Sequence, residues 1–135
     1  MPSFGESSRT RLATAHPKLI LVFEEVIKRA DCSILCGHRT KEEQEDAFKR
    51  RVSKARWGES PHNYTPALAV DVVPYPIDWD DHLRMAHFAG RVCEVAHSLG
   101  IAIEWGGDWD GDTSTTDQSF LDLPHFQLAN WRPYI

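Results

Sequence analysis

The chain predicts an α+β fold, with helices packed on a small, mainly antiparallel sheet. Apolar residues recur at helical spacing in one part of the chain and alternate with polar ones in short runs elsewhere. Helices and strands are mixed without a regular strand–helix–strand repeat. At 135 residues the chain fits one domain, 1–135, large enough to fold on its own core.

The elements follow in order. Leu19, Val22, Phe23, Val26 and Ile27 keep helical spacing behind Pro17, which suits a first helical position, so a helix is expected over 17–30. Ser33 to Cys36 is a short apolar strand, and Gly37-His38-Arg39 a turn. Thr40 with Glu43 three residues on is a capping-box signature for a helix over 41–52. The stretch 53–67 is irregular and carries Gly58, Pro61 and Pro66. Leu68, Val70 and Val72 alternate along a strand that Pro74 and Pro76 end. A long helix is expected over 80–99, capped from Asp78–Asp81 and stopped by Gly100. Strands at 101–105 and 125–128 flank an acidic, Gly- and Thr-rich loop.

Composition narrows the function. No stretch reaches the ~18 apolar residues of a membrane span. The net charge of −5 argues against a general nucleic-acid binder. That charge is uneven: residues 1–57 hold 12 Lys and Arg against 8 Asp and Glu, and residues 58–135 hold 3 against 12. The acidic second part fits either a cation site or solvated loops. Three cysteines, Cys32, Cys36 and Cys93, without a CxxC pair or a leading apolar segment, fit reduced, buried thiols and synthesis in the cytoplasm without a signal peptide.

Of seven histidines, His82, His87 and His97 lie on the long helix at spacings that form no one-turn pair, and HExxH is absent. His62 and His125 each sit just before or at the start of a strand. Asp71 projects from the most apolar strand toward the face opposite Leu68, Val70 and Val72, where a lone carboxylate needs a partner. Two histidines and an aspartate suit zinc, whose catalytic sites use three protein ligands. A further carboxylate beside the remaining position, such as Asp122, suits a general base.

Ser60-Pro61-His62, Ala69-Val70-Asp71, Asp122-Leu123-Pro124-His125, Gly37-His38-Arg39 and Trp105-Gly106-Gly107-Asp108-Trp109 together resemble peptidase family M15. That family groups VanY-like D-Ala-D-Ala carboxypeptidases with L-alanyl-D-glutamate endopeptidases, and the likeness is to its compact phage endolysin branch, over residues 4 to 129. Two departures stand out. Eight residues separate His62 from Asp71 where the family has six, with Ala67 at the motif glycine, and the acid before the second histidine is Asp122 where many relatives have Glu.

The resemblance implies a zinc peptidase in which His62, Asp71 and His125 bind Zn²⁺. Asp122 is then the base, Arg39 holds an oxyanion or a substrate carboxylate, and Ser60 contacts substrate or shapes its turn. The implied partner is the peptidoglycan stem peptide, cut between L-Ala and D-Glu. Removal of terminal D-Ala and a non-catalytic zinc module are the alternatives. The expected protein is a monomeric catalytic domain without a wall-binding module, acting on the wall after phage-type release. Asp108, Asp110 and Asp112 alternate as Ca²⁺ ligands do, but Thr113 and Ser119 stand where an EF-hand loop needs Gly and Glu.

Overall fold

The structure, a computed structural model, describes residues 2–118 and 120–135. Its helices are α1 (Glu6–Leu12), α2 (Pro17–Ile27), α3 (Lys41–Lys49) and α4 (His82–Ser98). Its strands are β1 (Cys32–Cys36), β2 (Ala69–Pro74), β3 (Ile103–Trp105) and β4 (His125–Leu128). Short 3-10 turns occupy Pro61–Asn63 and Arg132–Tyr134. The strands form one sheet in the order β1-β2-β4-β3, every pair antiparallel. The expected α+β class and antiparallel sheet are therefore observed.

The period-2 pattern divides the sheet. Val70, Val72, Ile34, Phe126 and Leu128 are buried in the core. Phe126 meets Phe23 of α2 and Phe88 of α4 edge to face, at centroid distances of 5.6 and 6.2 Å. Burying an aromatic side chain of this kind contributes roughly 1.5–3 kcal/mol. The alternate positions carry polar groups: Asp71 lies opposite His125, and Glu104 opposite Gln127. One face of the sheet thus makes the core and the other carries the chemistry.

Helix ends follow local chemistry. Pro17 starts α2 as expected. The capping box of α3 is present in both directions: Thr40 Oγ1 accepts from the Glu43 N–H, and Glu43 Oε1 from the Thr40 N–H. That helix closes at Lys49, three residues before the expected end, because Arg51 turns left-handed at φ 61° and the Val52 N–H donates back to the Ala47 carbonyl. Gly100, at φ 70°, closes α4 in the same way.

Helix α1 is absent from the sequence expectations. Its segment is mostly polar, and only Phe4, Ser8 and Leu12 mark a buried face. It covers the free edge of β1: Ser8 Oγ accepts from the Ile34 N–H at 3.0 Å, and Arg11 donates to the Ile34 carbonyl at 3.1 Å.

Candidate metal centre and cleft

Three side chains converge from three places in the sequence. The antiparallel register sets Asp71 beside His125, and the 3-10 turn after Ser60 brings His62 to them. His62 Nε2 and His125 Nδ1 are 3.3 Å apart, and Asp71 Oδ1 lies 3.3 Å from the first and 3.4 Å from the second. Donors bound at ~2.0–2.1 Å around a tetrahedral zinc stand about 3.3–3.4 Å from one another. The longer segment between His62 and Asp71 does not spoil this geometry. It folds back on itself, with the Leu68 N–H donating to the Pro61 carbonyl at 2.9 Å.

Both imidazoles are oriented from outside. His62 Nδ1 is 2.8 Å from the Gly37 carbonyl, and His125 Nε2 is 2.8 Å from Gln127 Oε1. Each outer nitrogen therefore donates, and each inner nitrogen turns a lone pair to the centre. Asp71 Oδ1 is buried without a hydrogen-bond partner. Three electron-rich atoms aimed at one point require positive charge there, and a divalent cation fits that donor set. Without one, a shared proton must serve. Burial opposes protonation of His62, but the Asp71 carboxylate outweighs it and lifts the imidazole to about 10. Burial likewise opposes ionisation of Asp71, and His62 and His125 overcome it, holding the carboxyl well below the usual range.

Asp122 stands at the rim, its Oδ2 3.9 Å from His125 Nδ1. Burial, then the charge of Asp71, raises its carboxyl above the ordinary value. Its backbone is pinned by Gly106, whose carbonyl accepts from the Asp122 N–H at 2.8 Å. A Cβ on Gly106 would lie 2.0 Å from the Asp122 carbonyl oxygen, so only glycine fits. Arg39 reaches Asp71 Oδ2 at 3.5 Å and gives its other terminal nitrogen to Gln44 Oε1 at 2.9 Å. Ser60 is buried, and its hydroxyl accepts from the His62 N–H at 3.2 Å, which shapes the turn that presents His62.

Arg39, Ser60, His62, Asp122 and His125 line one cleft together with Lys54, Trp109 and Phe120. Trp109 packs against the His125 ring at 5.4 Å, and the Lys54 ammonium sits 4.5 Å above the Phe120 ring. Cys36 lies on the outer side of His62, 3.9 Å from Nδ1, the nitrogen already engaged by Gly37. Burial pushes the Cys32 thiol up to about 12 and also raises Cys93.

The acidic loop brings Asp108, Asp110 and Asp112 within reach of one another. Each accepts from a nearby backbone N–H, those of Thr113, Asp112 and Ser114 respectively. Asp108 Oδ1 has no partner. Ser119, which stands where an EF-hand loop needs Glu, lies outside the described residues.

Four supporting residues escaped the sequence reading: Gln44, Asn63, Gln127 and Glu104. Gln44 is fully buried and joins Arg39, Asn63, Ser53 and the Ala55 carbonyl. A signal existed, since Gln44 and Ala47 are uncharged at i, i+3 in a highly charged helix. Gln127 and Glu104 gave none, because their meaning depends on the pairing of β3 with β4.

Known proteins resemble this chain in fold and sequence. The crystal structure of the Serratia marcescens L-Ala D-Glu endopeptidase ChiX superposes with a TM-score of 0.76 at 29% identity, covering 98% of this chain and 93% of that one. The Bacillus subtilis (strain 168) peptidoglycan L-alanyl-D-glutamate endopeptidase CwlK is 31% identical over 75% of this chain. The chain spans 62% of the length of CwlK. A family model described as phage L-alanyl-D-glutamate peptidase matches residues 2–129, so with nearly its whole length accounted for, the chain belongs to that family.

Proposed function

We propose that this protein is a zinc-dependent endopeptidase that hydrolyses the L-alanyl–D-glutamate bond of peptidoglycan stem peptides. The observation that carries the proposal is the 3.3–3.4 Å triangle of His62 Nε2, His125 Nδ1 and Asp71 Oδ1, with both imidazoles oriented to offer lone pairs. Family membership and the likeness to ChiX and CwlK support the substrate. Zinc, when bound, supplies Lewis acidity toward the peptide carbonyl and makes water a better nucleophile. Asp122, at the cleft rim with a raised carboxyl, takes the proton from water and returns it to the leaving amine. Arg39 stabilises charge that develops on the substrate oxygen, held in place by Asp71 and Gln44. Trp109 and Phe120 shield that charge from bulk water. An endolysin that acts on the wall after release fits this reading.

Purified wall, digested with the metal-loaded protein and analysed by mass spectrometry, tests it. New L-Ala carboxyl and D-Glu amino ends are expected, abolished by chelation and restored by Zn²⁺. Loss of single D-Ala residues with the L-Ala–D-Glu bond intact would replace endopeptidase with carboxypeptidase. Zinc uptake without any cleavage would leave a binding module. Calorimetry with Ca²⁺ decides separately whether the loop carboxylates take a cation.

A further inference from the structure

We propose that Glu104 is a positioning residue for the metal centre, fixing through Gln127 which nitrogen of His125 faces the metal. The inference rests on the zinc reading above and extends it to a residue on the far edge strand. Glu104 and Gln127 are direct cross-strand partners of β3 and β4, and His125 lies two residues before Gln127 on the same face. Gln127 Nε2 donates to Glu104 Oε2 at 3.1 Å, and Gln127 Oε1 is 2.8 Å from His125 Nε2.

The chemistry of these groups leaves one arrangement. A carboxylate accepts and cannot donate, so Glu104 draws the NH₂ end of the Gln127 amide toward itself. The amide oxygen then has to face His125. An oxygen accepts only, so His125 Nε2 must carry the proton and Nδ1 must present its lone pair. Nδ1 is the nitrogen that points at His62 and Asp71. Were the amide reversed, its NH₂ would seek a lone pair on Nε2, the proton would move to Nδ1, and the centre would lose a ligand. Gln127 alone cannot prevent this, because its two ends have nearly the same shape. Glu104 is what makes them different. His62 needs no such relay, since a backbone carbonyl can only accept.

Zinc affinity of the chelator-stripped protein, measured by competition with a chromogenic chelator, tests the relay without any peptidase assay. In Glu104→Gln the amide at 104 can accept or donate, so Gln127 is free to reverse, and affinity should fall about tenfold. In Glu104→Lys the side chain only donates and imposes the wrong orientation, so affinity should fall about 100-fold. The double variant Glu104→Lys with Gln127→Glu places an acceptor-only carboxylate beside His125 again. It carries the same net charge at these two positions as Glu104→Gln, yet should recover to within about threefold of wild type. Melting temperatures in chelator are expected to match across the set, which separates orientation from folding.

Wild-type affinity in Glu104→Gln and Glu104→Lys overturns the relay alone. So does a double variant no tighter than Glu104→Gln, since charge rather than orientation would then account for the losses. A wild-type protein that takes up no zinc overturns the functional reading, and the relay with it.

Discussion

His62 Nε2 and His125 Nδ1 face each other at 3.3 Å while their outer nitrogens donate to Gly37 and Gln127. Two imidazole lone pairs cannot hold that distance without a positive charge between or beside them, and Asp71 adds a third electron-rich atom. The zinc-free protein must draw this charge from protons, so its stability should follow pH. The raised His62 value makes its contribution whole below the unfolded value of 6.5 and lost as pH rises through about 10. The depressed Asp71 value makes its contribution whole above 3.8 and lost as pH falls further. From this pair, melting temperature in chelator should peak between pH 3.8 and 6.5 and decline toward pH 10, and zinc should flatten the alkaline decline. Thermal melts across that range, with and without zinc, make the comparison, and a chelated protein whose stability holds constant from pH 6.5 to 10 contradicts it.

Asp122 feels the charges of Asp71, His125 and His62, and its Oδ2 stands 3.9 Å from His125 Nδ1, at the edge of the triangle those three residues form. Asp122→Asn keeps the shape and removes the carboxylate proposed as the base. Zinc affinity should stay within about threefold of wild type, while kcat falls by roughly 10²–10⁴, the usual worth of a positioned general base. Retention of wild-type turnover would remove Asp122 from the mechanism.

Residues whose type declares a role were legible in the sequence: His62, Asp71, Asp122, His125 and Arg39 all reach one cleft or its floor. The strand alternation that sent Asp71 away from Val70 and Val72 was legible for the same reason, since a two-residue period is written locally. Helix α1 was not, because its stability comes from covering the edge of β1 and its own apolar pattern is sparse. Gln127 and Glu104 were not either. An amide and a carboxylate 23 residues apart acquire meaning only through strand register.

Two substitutions away from the His62, Asp71 and His125 triangle should show how tightly the cleft is braced. Gly106→Ala drives a methyl into the Asp122 carbonyl at 2.0 Å, a backbone atom that cannot swing aside. A cost of about 1–3 kcal/mol is expected, with a larger fall in kcat than in zinc affinity because Asp122 moves. Gln44→Ala strips partners from Arg39, Asn63 and the Ala55 carbonyl at once. Stranding such buried groups costs about 1–3 kcal/mol each, so denaturant titration should show one of the larger single-residue losses in the protein. A Gln44→Ala protein within about 0.5 kcal/mol of wild type would mean that water replaces the amide.

Lys54 is a cation without a carboxylate partner within salt-bridge distance among the described residues, and it leans over Phe120 across the cleft. Arg39, the other cation lining the cleft, is engaged with Asp71 and Gln44. In the proposed substrate, the glutamate beside the scissile bond keeps one carboxyl free, whichever of its two continues the peptide. Lys54 is placed to meet that charge at the cost of a weak cation–π contact. Lys54→Met should therefore raise KM for a stem peptide about fivefold, close to 1 kcal/mol for an exposed pair, and leave kcat nearly unchanged. The same substitution should have little effect on a peptide whose free glutamate carboxyl is amidated. Steady-state kinetics on the two peptides with the two proteins form a double-mutant cycle, and a coupling of zero would show that Lys54 supports Phe120 without touching substrate.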